Sequence, residues 1–377
     1  MRLCLVTSFP PSHGRLSEYA HFLTKALQRV DSISHIDVIA DYEKPSYVGE
    51  KVTVHRLWRP DDPVSVFKII FAIMRLRPDV VCFNVSFGSF GGRRPANFVG
   101  LILPFLCRVL GFRSVVNVHN LIESMDSEIL DFKLNPINRL GTLIATKALA
   151  LSSLVIVISL SYVKLLKTRY RCKNVVYIPH GTIAVPLTAN PHGVSNSKTI
   201  LCMGYHSPRM NLELLFDAFK QVSLYKDVRL IVAGESHPHY PGFLEKYHSI
   251  NLPNVLFTGY LPEDRLFILY REVDVVVLPY RTCTGASGVA HLSFSFGIPV
   301  IATDLPEFRE LKHQGAGVIL TPQDPLALAR EICRVLDDPD LVRRLRERSL
   351  RFSEERTWDK IAQRFYEVFS EKVQTPL

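Results

Sequence analysis

A loop of small residues ahead of an apolar helix is the first feature of this sequence that could do chemistry. The stretch Thr284–Gly297, TGASGVAHLSFSFG, lies between the apolar runs DVVVLPY and IPVIATD. Small residues let a ligand approach the backbone, and successive N–H groups at a helix start bind anions without a charged side chain. The range 285–289 therefore predicts a phosphate-binding loop, the alternative being a loop that only packs.

Two other predicted strand ends carry candidate residues. Gly14 and Arg15 precede a predicted helix start, where free N–H groups and the positive end of the helix dipole favour an anion. An ordinary strand-to-helix loop is the alternative there. His119 ends the apolar stretch SVVNVHN, so an inner strand would deliver it to a crevice. A purely structural histidine is the alternative for that position.

The stretch LCMGYHSPRMNLELLFDAF adds a third strand-end loop. It follows a predicted strand at Gly204 and holds His206 and Arg209 before an amphipathic helix that Asn211 would cap. Arg209 is the only cation of this loop and could pair with a phosphate, unless it is a solvated surface arginine.

Short β-branched runs that alternate with helical patterns position these loops. The predicted strands are 2–7, 34–41, 51–57, 79–86, 114–120, 154–159 and 175–181, then 199–205, 227–235, 254–260, 274–280, 299–304 and 317–322. Near-continuous apolar strands separated by helices indicate parallel sheets that are covered on both faces. The strands are too many for one sheet, and the Pro-, Gly- and Ser-rich stretch 182–198 is typical of a linker. We therefore predict an α/β fold of two doubly wound Rossmann-like domains that face a cleft.

The excess of positive over negative charge lies in the first half of the chain. Residues 1–173 carry 23 Lys and Arg against 13 Asp and Glu, and the whole chain has a formal net charge of +9. This asymmetry indicates an anionic partner for the first half. The predicted helices 64–77 and 93–112 combine apolar faces with cations, which suits an anionic membrane surface, although covering the sheet would also explain their apolar faces. No helix-turn-helix or aromatic-basic pattern supports nucleic acid as the partner.

Cysteine usage and apolar run length indicate the compartment. The seven cysteines are scattered without a CxxC pair, which favours free thiols in a reducing cytosol and argues against a zinc site. The longest apolar run, 98–107, is far shorter than the roughly 18 to 20 residues of a membrane span. We expect a cytoplasmic protein, peripheral on the inner face of a membrane if it binds one.

Taken in order, these segments resemble the GT-B glycosyltransferases of glycosyltransferase family 4. The matching stretches are FPPSHGRLSEYAHFLTKAL, VVNVHN, VIVIS, VVYIPHG, LCMGYHSPRMNLELLFDAF, LIVAGE, VLFTGYLPEDRLFILYREVDVVVLPY, GIPVIATDLPEFREL, PQDPLALAREI and FSEERTWDKIAQRFYEVF. The resemblance implies an acceptor-side domain at 1–183, a nucleotide-sugar domain at 184–357, and a C-terminal helix within 358–377 that crosses back to the first domain. It also implies sugar transfer with retention of configuration and without a metal.

The resemblance also implies roles for individual residues. His119 would be catalytic and contact the sugar near the reacting centre, and Glu310 falls where an acidic residue commonly follows the last cleft strand. The expected donor-binding residues are Gly14, Arg15, Gly204, His206, Arg209, Thr284, Gly285, Ala286, Ser287, Gly288, Val289, His291 and Glu310.

The sequence departs from the family at its usual glutamate pair. Family members carry two glutamates separated by seven residues, the first meeting the sugar and the second the ribose. Thr284 and Leu292 stand at those positions here. His291, the only ionisable side chain near the loop, would take over the ribose contact.

The usual cations are also displaced. The common lysine of the loop after Gly204 is Met210 here, and the common arginine falls at Tyr205 or Ser207. Arg209 or His206 would neutralise the diphosphate in their place.

These features predict a hexosyltransferase that uses a UDP- or GDP-linked donor, needs no cofactor, and acts on a glycan or polyprenyl-linked acceptor. The missing glutamates and lysine support one alternative, a catalytically degenerate GT-B protein that serves as a binding partner or scaffold. A GT-B epimerase or phosphorylase fits less well, because paired cleft carboxylates are scarce and no cofactor-binding lysine stands in the strand-end loops of the second half.

Overall fold

The computed structural model of the protein describes residues 1–43, 49–124, 135–185, 197–250, 252–283 and 285–371. Most of the predicted linker 182–198 and the end of the predicted C-terminal segment 358–377 lie outside these residues. So does Thr284, the first residue of the small-residue loop.

The first sheet is parallel and fills the first half of the chain. Its strands are β1 (Arg2–Val6), β2 (His35–Asp41), β3 (Val52–Trp58), β4 (Val80–Val85), β5 (Ser114–Val118), β6 (Leu154–Val157) and β7 (Val175–Tyr177). They are arranged in the order β3-β2-β1-β4-β5-β6-β7. Every residue of β4 and β5 is buried, as expected for inner strands with helices on both faces.

The second sheet repeats this plan. Its strands are β8 (Lys198–Met203), β9 (Val228–Ala233), β10 (Val255–Gly259), β11 (Val275–Leu278), β12 (Val300–Thr303) and β13 (Val318–Thr321). Their order is β10-β9-β8-β11-β12-β13, again parallel throughout. In both sheets the strand order reverses beside the first strand, which leaves a crevice at the carboxyl ends of the central strands.

Helices cover both faces of each sheet. They are α1 (Arg15–Leu27), α2 (Ser65–Leu76), α3 (Arg94–Val109), α4 (Pro136–Ala150), α5 (Leu160–Tyr170), α6 (Leu212–Ser223), α7 (Glu263–Tyr270), α8 (Gly288–Ser295), α9 (Pro306–His313), α10 (Pro325–Asp337), α11 (Pro339–Glu354) and α12 (Trp358–Ser370). Helices α2 to α5 share one hydrophobic core with the first sheet, and α1 and α12 share the core on its other face. The predicted α/β class with two doubly wound domains is confirmed.

The C-terminal helix α12 returns to the first domain. Its residue Trp358 stacks on Phe22 of α1 at 5.8 Å between ring centroids and meets Tyr19 edge-on at 4.9 Å. Gly181 packs so closely on the indole that a Cβ there would overlap the ring. The chain therefore crosses between the domains twice, once near residue 183 and once ahead of Trp358.

Within the described residues, the helices are too short or too polar to cross a lipid bilayer.

Replacing Trp358 with alanine tests how much the packing of α12 on the first domain contributes to stability. The indole is 8% exposed and lies among Tyr19, Phe22 and His180. Its removal leaves a cavity, and we expect the free energy of unfolding to fall by about 3 to 5 kcal/mol. Chemical denaturation measures the change, and Gln363→Ala on the exposed side of the same helix is the control that should leave stability unchanged.

Candidate active site

The small-residue loop lies at the carboxyl edge of the second sheet, between β11 and α8. Ser287 is the N-cap of α8, and its side-chain oxygen accepts a hydrogen bond from the Ala290 N–H at 3.3 Å. Gly285 has φ +109°, a backbone conformation that favours glycine. Ala286, Gly288 and Val289 remain half-buried, so the loop keeps surface that a ligand can reach.

This loop is pressed against the first domain. The backbone of Gly285 lies so close to the carbonyl oxygen of His119 that a Cβ would overlap that oxygen. A Cβ at Gly288 would lie 3.6 Å from Nε2 of His180, a residue that follows β7. On the other side of the loop, a Cβ at Gly204 would lie 3.8 Å from Val289. The structure therefore brings together the predicted residues Gly204, Gly285, Gly288, Val289 and His119.

A network of amides holds the His119 ring. Its Nε2 lies 2.6 Å from Oδ1 of Asn84, at the end of β4, and 3.2 Å from Nδ2 of Asn117 on its own strand. Asn84 Oδ1 also accepts a hydrogen bond from Asn117 Nδ2 at 2.9 Å. Because an acceptor faces Nε2, the proton belongs on that nitrogen, which leaves Nδ1 as the acceptor of the ring. Neither asparagine was identified from the sequence. The spacing of Asn117 and His119, two residues apart at the end of a strand, was the signal that both side chains lie on one face.

His119 and its neighbour His180 are neutral at physiological pH. Burial, helped by the charges of His180 and Arg15, lowers the pKa of His119 to about 3. Burial lowers the pKa of His180 to about 4. Both values lie below the ordinary 6.5, so protonation favours the unfolded chain and stability is lost as pH falls from 6.5 toward those values. A neutral His119 can accept a hydrogen bond from a sugar hydroxyl at Nδ1 and does not repel a cationic transition state.

Arg209 is fixed by the loop that follows β8. Its carbonyl oxygen accepts a hydrogen bond from the Arg281 N–H at 2.8 Å, and Met210 pairs with Tyr280 in an isolated bridge. The guanidinium carbon lies 4.3 Å from the centre of the Tyr280 ring, an arrangement that orients the cation without neutralising it. The side chain is 7% exposed, so the prediction of a freely solvated surface arginine is excluded.

The charge of Arg209 acts on Arg15, which begins α1 in the first domain. Although Arg15 keeps surface open to solvent, the protein around it and the repulsion from Arg209 lower its pKa to about 10. It is still charged at neutral pH. Burial and the charges of Arg15, His239 and Arg209 lower the pKa of His237 to about 3, which marks the same region as electropositive. Across the described ranges neither Arg15 nor Arg209 has an ion-pair partner within 4.0 Å.

The loop that carries Gly14 and Arg15 depends on a buried ion pair that sequence reasoning overlooked. Asp41, at the end of β2, accepts hydrogen bonds from the Phe9 N–H at 3.1 Å and from Ser12 Oγ at 2.5 Å. Arg56 from β3 donates to the Phe9 carbonyl at 2.9 Å and lies 3.7 Å from Asp41. Two neighbouring strands thus fix the path of the first loop, and Gly14 then caps α1 with φ +131°.

Two predicted donor contacts are not supported by the positions of their side chains. His206 is fully buried, and its Nε2 hydrogen-bonds the Ala233 carbonyl at 2.9 Å, so the ring anchors the loop to β9. His291 is 2% exposed and packs against His180 at 4.7 Å between ring centroids, with its Nδ1 at 2.8 Å from the Ser287 carbonyl. The ribose contact that the sequence suggested for His291 is therefore blocked by its burial.

Glu310 forms a contact between the domains in this structure. Its carboxylate accepts hydrogen bonds from Ser159 Oγ at 2.7 Å and from the Leu160 N–H at 2.9 Å, which places it at the N-terminus of α5. Its predicted role in donor binding would require that contact to open. Burial raises the pKa of Glu307, which lies one helical turn earlier, and the charge of Arg209 acts in the opposite direction. Leu292 is half-buried against the core of the second domain.

Part of the chain is similar in sequence to known proteins. Residues 197–338 match the sequence family described as "Glycosyl transferases group 1". An uncharacterized glycosyltransferase of Methanocaldococcus jannaschii is 28% identical over 147 residues, which cover 38% of this chain and 37% of the relative. The chain spans less than half the length of the curated relatives it matches.

The whole fold has solved counterparts. Sucrose-phosphate synthase from Thermosynechococcus elongatus superposes with a TM-score of 0.76 at 19% identity, covering 98% of each chain. Anabaena HepE in complex with UDP-glucose superposes with a TM-score of 0.73 at 17% identity, covering 98% of this chain and 99% of the other. The architecture is GT-B, and together with the sequence match it supports a glycosyltransferase. The narrower resemblance to family 4 stays a prediction.

Substitution of Gly285 by alanine tests the contact between the loop and His119. The added Cβ would overlap the His119 carbonyl oxygen and would also occupy a strained backbone conformation. We expect the domains to separate and kcat/KM with a nucleotide-sugar to fall at least about tenfold, as small misplacements of catalytic groups do. Gly315→Ala is the control, because Gly315 also has a positive φ, +93°, but a Cβ there would meet no atom within 4 Å. Unchanged kinetics for Gly285→Ala would contradict this role.

Proposed function

We propose that the protein is a retaining, metal-independent glycosyltransferase that moves a hexose from a UDP- or GDP-linked donor to an acceptor. The observation that carries the proposal is the place where the domains meet, where Gly285 packs on the His119 carbonyl oxygen and the charges of Arg15 and Arg209, one from each domain, interact. Like charges repel, and among the described residues neither guanidinium group has an ion-pair partner within 4.0 Å, so the two together favour an anion between them. A diphosphate has the charge and the size for that position.

The chemistry follows from where charge develops. When the bond between the sugar and the diphosphate breaks, negative charge grows on the leaving group and positive charge on the anomeric carbon. Arg15, Arg209 and the N–H groups at the start of α8 would stabilise the leaving diphosphate, because fixed donors need no reorganisation during the reaction. His119, held by Asn84 and Asn117, would orient a sugar hydroxyl as a neutral group.

The missing glutamates do not oppose this function. The resemblance places a sugar contact and a ribose contact at Thr284 and Leu292, and neither residue type offers a carboxylate. Backbone donors of the range 285–289 would hold the sugar and diphosphate in their place. The solved structure of HepE with UDP-glucose is of a protein with the same fold, which supports a nucleotide-sugar as the donor class.

The acceptor is proposed as a glycan or a polyprenyl-linked sugar. The first domain faces the acceptor side of the cleft, and residues 1–173 carry the positive charge excess of the chain. A phosphate-bearing lipid carrier would complement that charge. An anionic membrane surface is the corresponding partner of the protein.

Arg209→Ala tests the role of the cation pair. Removal of one preorganised donor or cation typically costs about 2.7 to 4 kcal/mol of transition-state stabilisation, so kcat/KM should fall at least tenfold. Arg281→Ala is the matched control, because Arg281 stands on the same loop edge but pairs with Glu213 at 3.3 Å. If turnover were the same for Arg209→Ala and the unchanged protein, the cation would have no part in the reaction.

Nucleotide binding separates the enzyme from a scaffold. A ligand that binds only the folded state stabilises it, by about 2.7 kcal/mol at a ligand concentration of 100 times Kd. This stabilisation raises the melting temperature. We expect UDP or GDP to raise Tm, and Arg209→Ala to remove the shift. Thermal denaturation with UDP, GDP and no nucleotide measures this. A chain whose Tm responds to neither nucleotide would instead be the degenerate binding partner.

A further inference from the structure

One face of the first domain is built from helices without a single acidic residue. Helices α2, α3, α4 and α5 lie over the same face of the first sheet. Their sequences contain no Asp or Glu. Their cations are Lys68, Arg75, Arg94, Arg108, Arg139, Lys147, Lys164, Lys167 and Arg169. Helices α1 and α12 on the opposite face carry both signs, so the charge excess is concentrated on one side of the domain.

Helix α2 is apolar on two sides. Val66 and Ile69 point into the core beneath it. Phe67, Phe71 and Met74 stand on the other side with 71%, 67% and 51% of their surface exposed. A helix that only covers a sheet needs one apolar stripe and a polar outer face. Two exposed phenylalanines one turn apart, beside Met74, therefore need an explanation other than packing against the sheet.

Helix α4 shows the same feature. Ile137, Leu140 and Ile144 follow its outer side with 79%, 59% and 45% of their surface exposed. Helix α3 packs between α2 and α4 and ends at Val109, which is 67% exposed.

We call the exposed apolar side chains of the three helices the outer apolar face. It consists of Phe67, Phe71, Met74, Val109, Ile137, Leu140, Leu143 and Ile144.

We propose that the outer apolar face docks the protein on an anionic lipid bilayer. Aromatic and aliphatic side chains enter the boundary between headgroups and acyl chains, while surrounding cations are attracted to acidic headgroups. The helices that carry the face supply both components, and within their own sequences they contain no acidic residue that such a surface would repel. Exposed apolar surface of this extent on a folded domain marks an interaction site.

Charge decides between a bilayer and a second copy of this chain as the occupant. Two copies that met through this face would bring two sets of cations together without one acidic residue of α2 to α5 between them. That repulsion opposes a symmetric dimer, whereas an anionic bilayer neutralises the same charges.

Docking would also orient the cleft. In a parallel α/β domain the helices run antiparallel to the strands, so the N-termini of α2, α3 and α4 lie at the carboxyl edge of the first sheet. Phe67 and Ile137 stand near those N-termini. The face runs along the helices to Val109 at the C-terminus of α3, so a protein held by it lies with the carboxyl edge within reach of the lipid surface. This consequence rests on the proposed function, because only a lipid-linked acceptor would exploit it.

Vesicle flotation with the full chain tests the proposal. We expect binding to vesicles of phosphatidylcholine with phosphatidylglycerol at low salt, weaker binding as salt is added, and little binding to phosphatidylcholine alone. The double substitution Phe67→Ser and Phe71→Ser should weaken binding about tenfold or more, since each buried aromatic contributes to insertion. Charge removal by Lys68→Gln should weaken it about fivefold.

A matched control exists on the second domain. Leu224 and Tyr225 are 70% and 82% exposed at the end of α6, and their double substitution by serine should leave vesicle binding unchanged. All the substituted side chains are exposed, so circular dichroism and Tm should match the unchanged protein. Equal vesicle binding by the Phe67 and Phe71 variant and the unchanged protein would overturn the proposal, as would absence of binding to phosphatidylglycerol vesicles.

Two further measurements keep the outcomes separate. If sedimentation shows a dimer that the Phe67 and Phe71 variant loses, while vesicles bind neither protein, the face belongs to a second copy and the bilayer proposal falls. The UDP and GDP thermal shifts are measured without lipid on the same variants. If nucleotides raise Tm but the protein does not bind vesicles, only the docking proposal is overturned. If the protein binds vesicles but its Tm responds to neither nucleotide, only the proposed function is overturned.

Discussion

The contact between Gly285 and the carbonyl oxygen of His119 sets how closely the two domains approach each other. No side chain fits between these backbones, so the small-residue loop of the second sheet and the polar strand end of the first become one surface. Other contacts depend on the same approach. Glu310 reaches the N-terminus of α5, and Tyr205 reaches Glu18 at 3.2 Å, only because the sheets meet at this distance.

That approach creates an electrostatic imbalance. It brings Arg15 and Arg209 together without an acidic partner within ion-pair distance in the described part of the chain. The nearby histidines do not add charge, because burial keeps His119 and His180 neutral. A bound diphosphate would relieve the repulsion between Arg15 and Arg209. The repulsion that destabilises the protein without ligand would therefore favour binding of the diphosphate. Helices α2 to α5 likewise carry cations without an acidic residue in their sequences, so their surface also favours an anionic partner.

Much of the fold was readable from local sequence. Each predicted strand appears within a few residues of its expected position, because apolar β-branched runs such as VVCFNV in β4 have no other stable place than a buried parallel sheet. The site was less readable. Gly204, Gly285, Gly288, Val289 and His119 lie together where the domains meet, whereas the side chains of His206 and His291 are buried in protein. Sequence position places a residue in a loop, but the direction of its side chain depends on which neighbouring strand offers a partner.

The sequence by itself determined the two parallel sheets, the strand-end loops and the uneven charge, since periodicity and composition are local properties of the chain. Only the tertiary structure decided which loops meet. In the folded protein Glu310 forms a contact between the domains, and Asn84 binds the His119 ring. Asp41 and Arg56 fix the first loop through hydrogen bonds to Phe9. The tertiary structure also decided that α2 and α4 keep apolar side chains at the surface. These outcomes depend on contacts between residues far apart in the chain, and no local pattern encodes such distances.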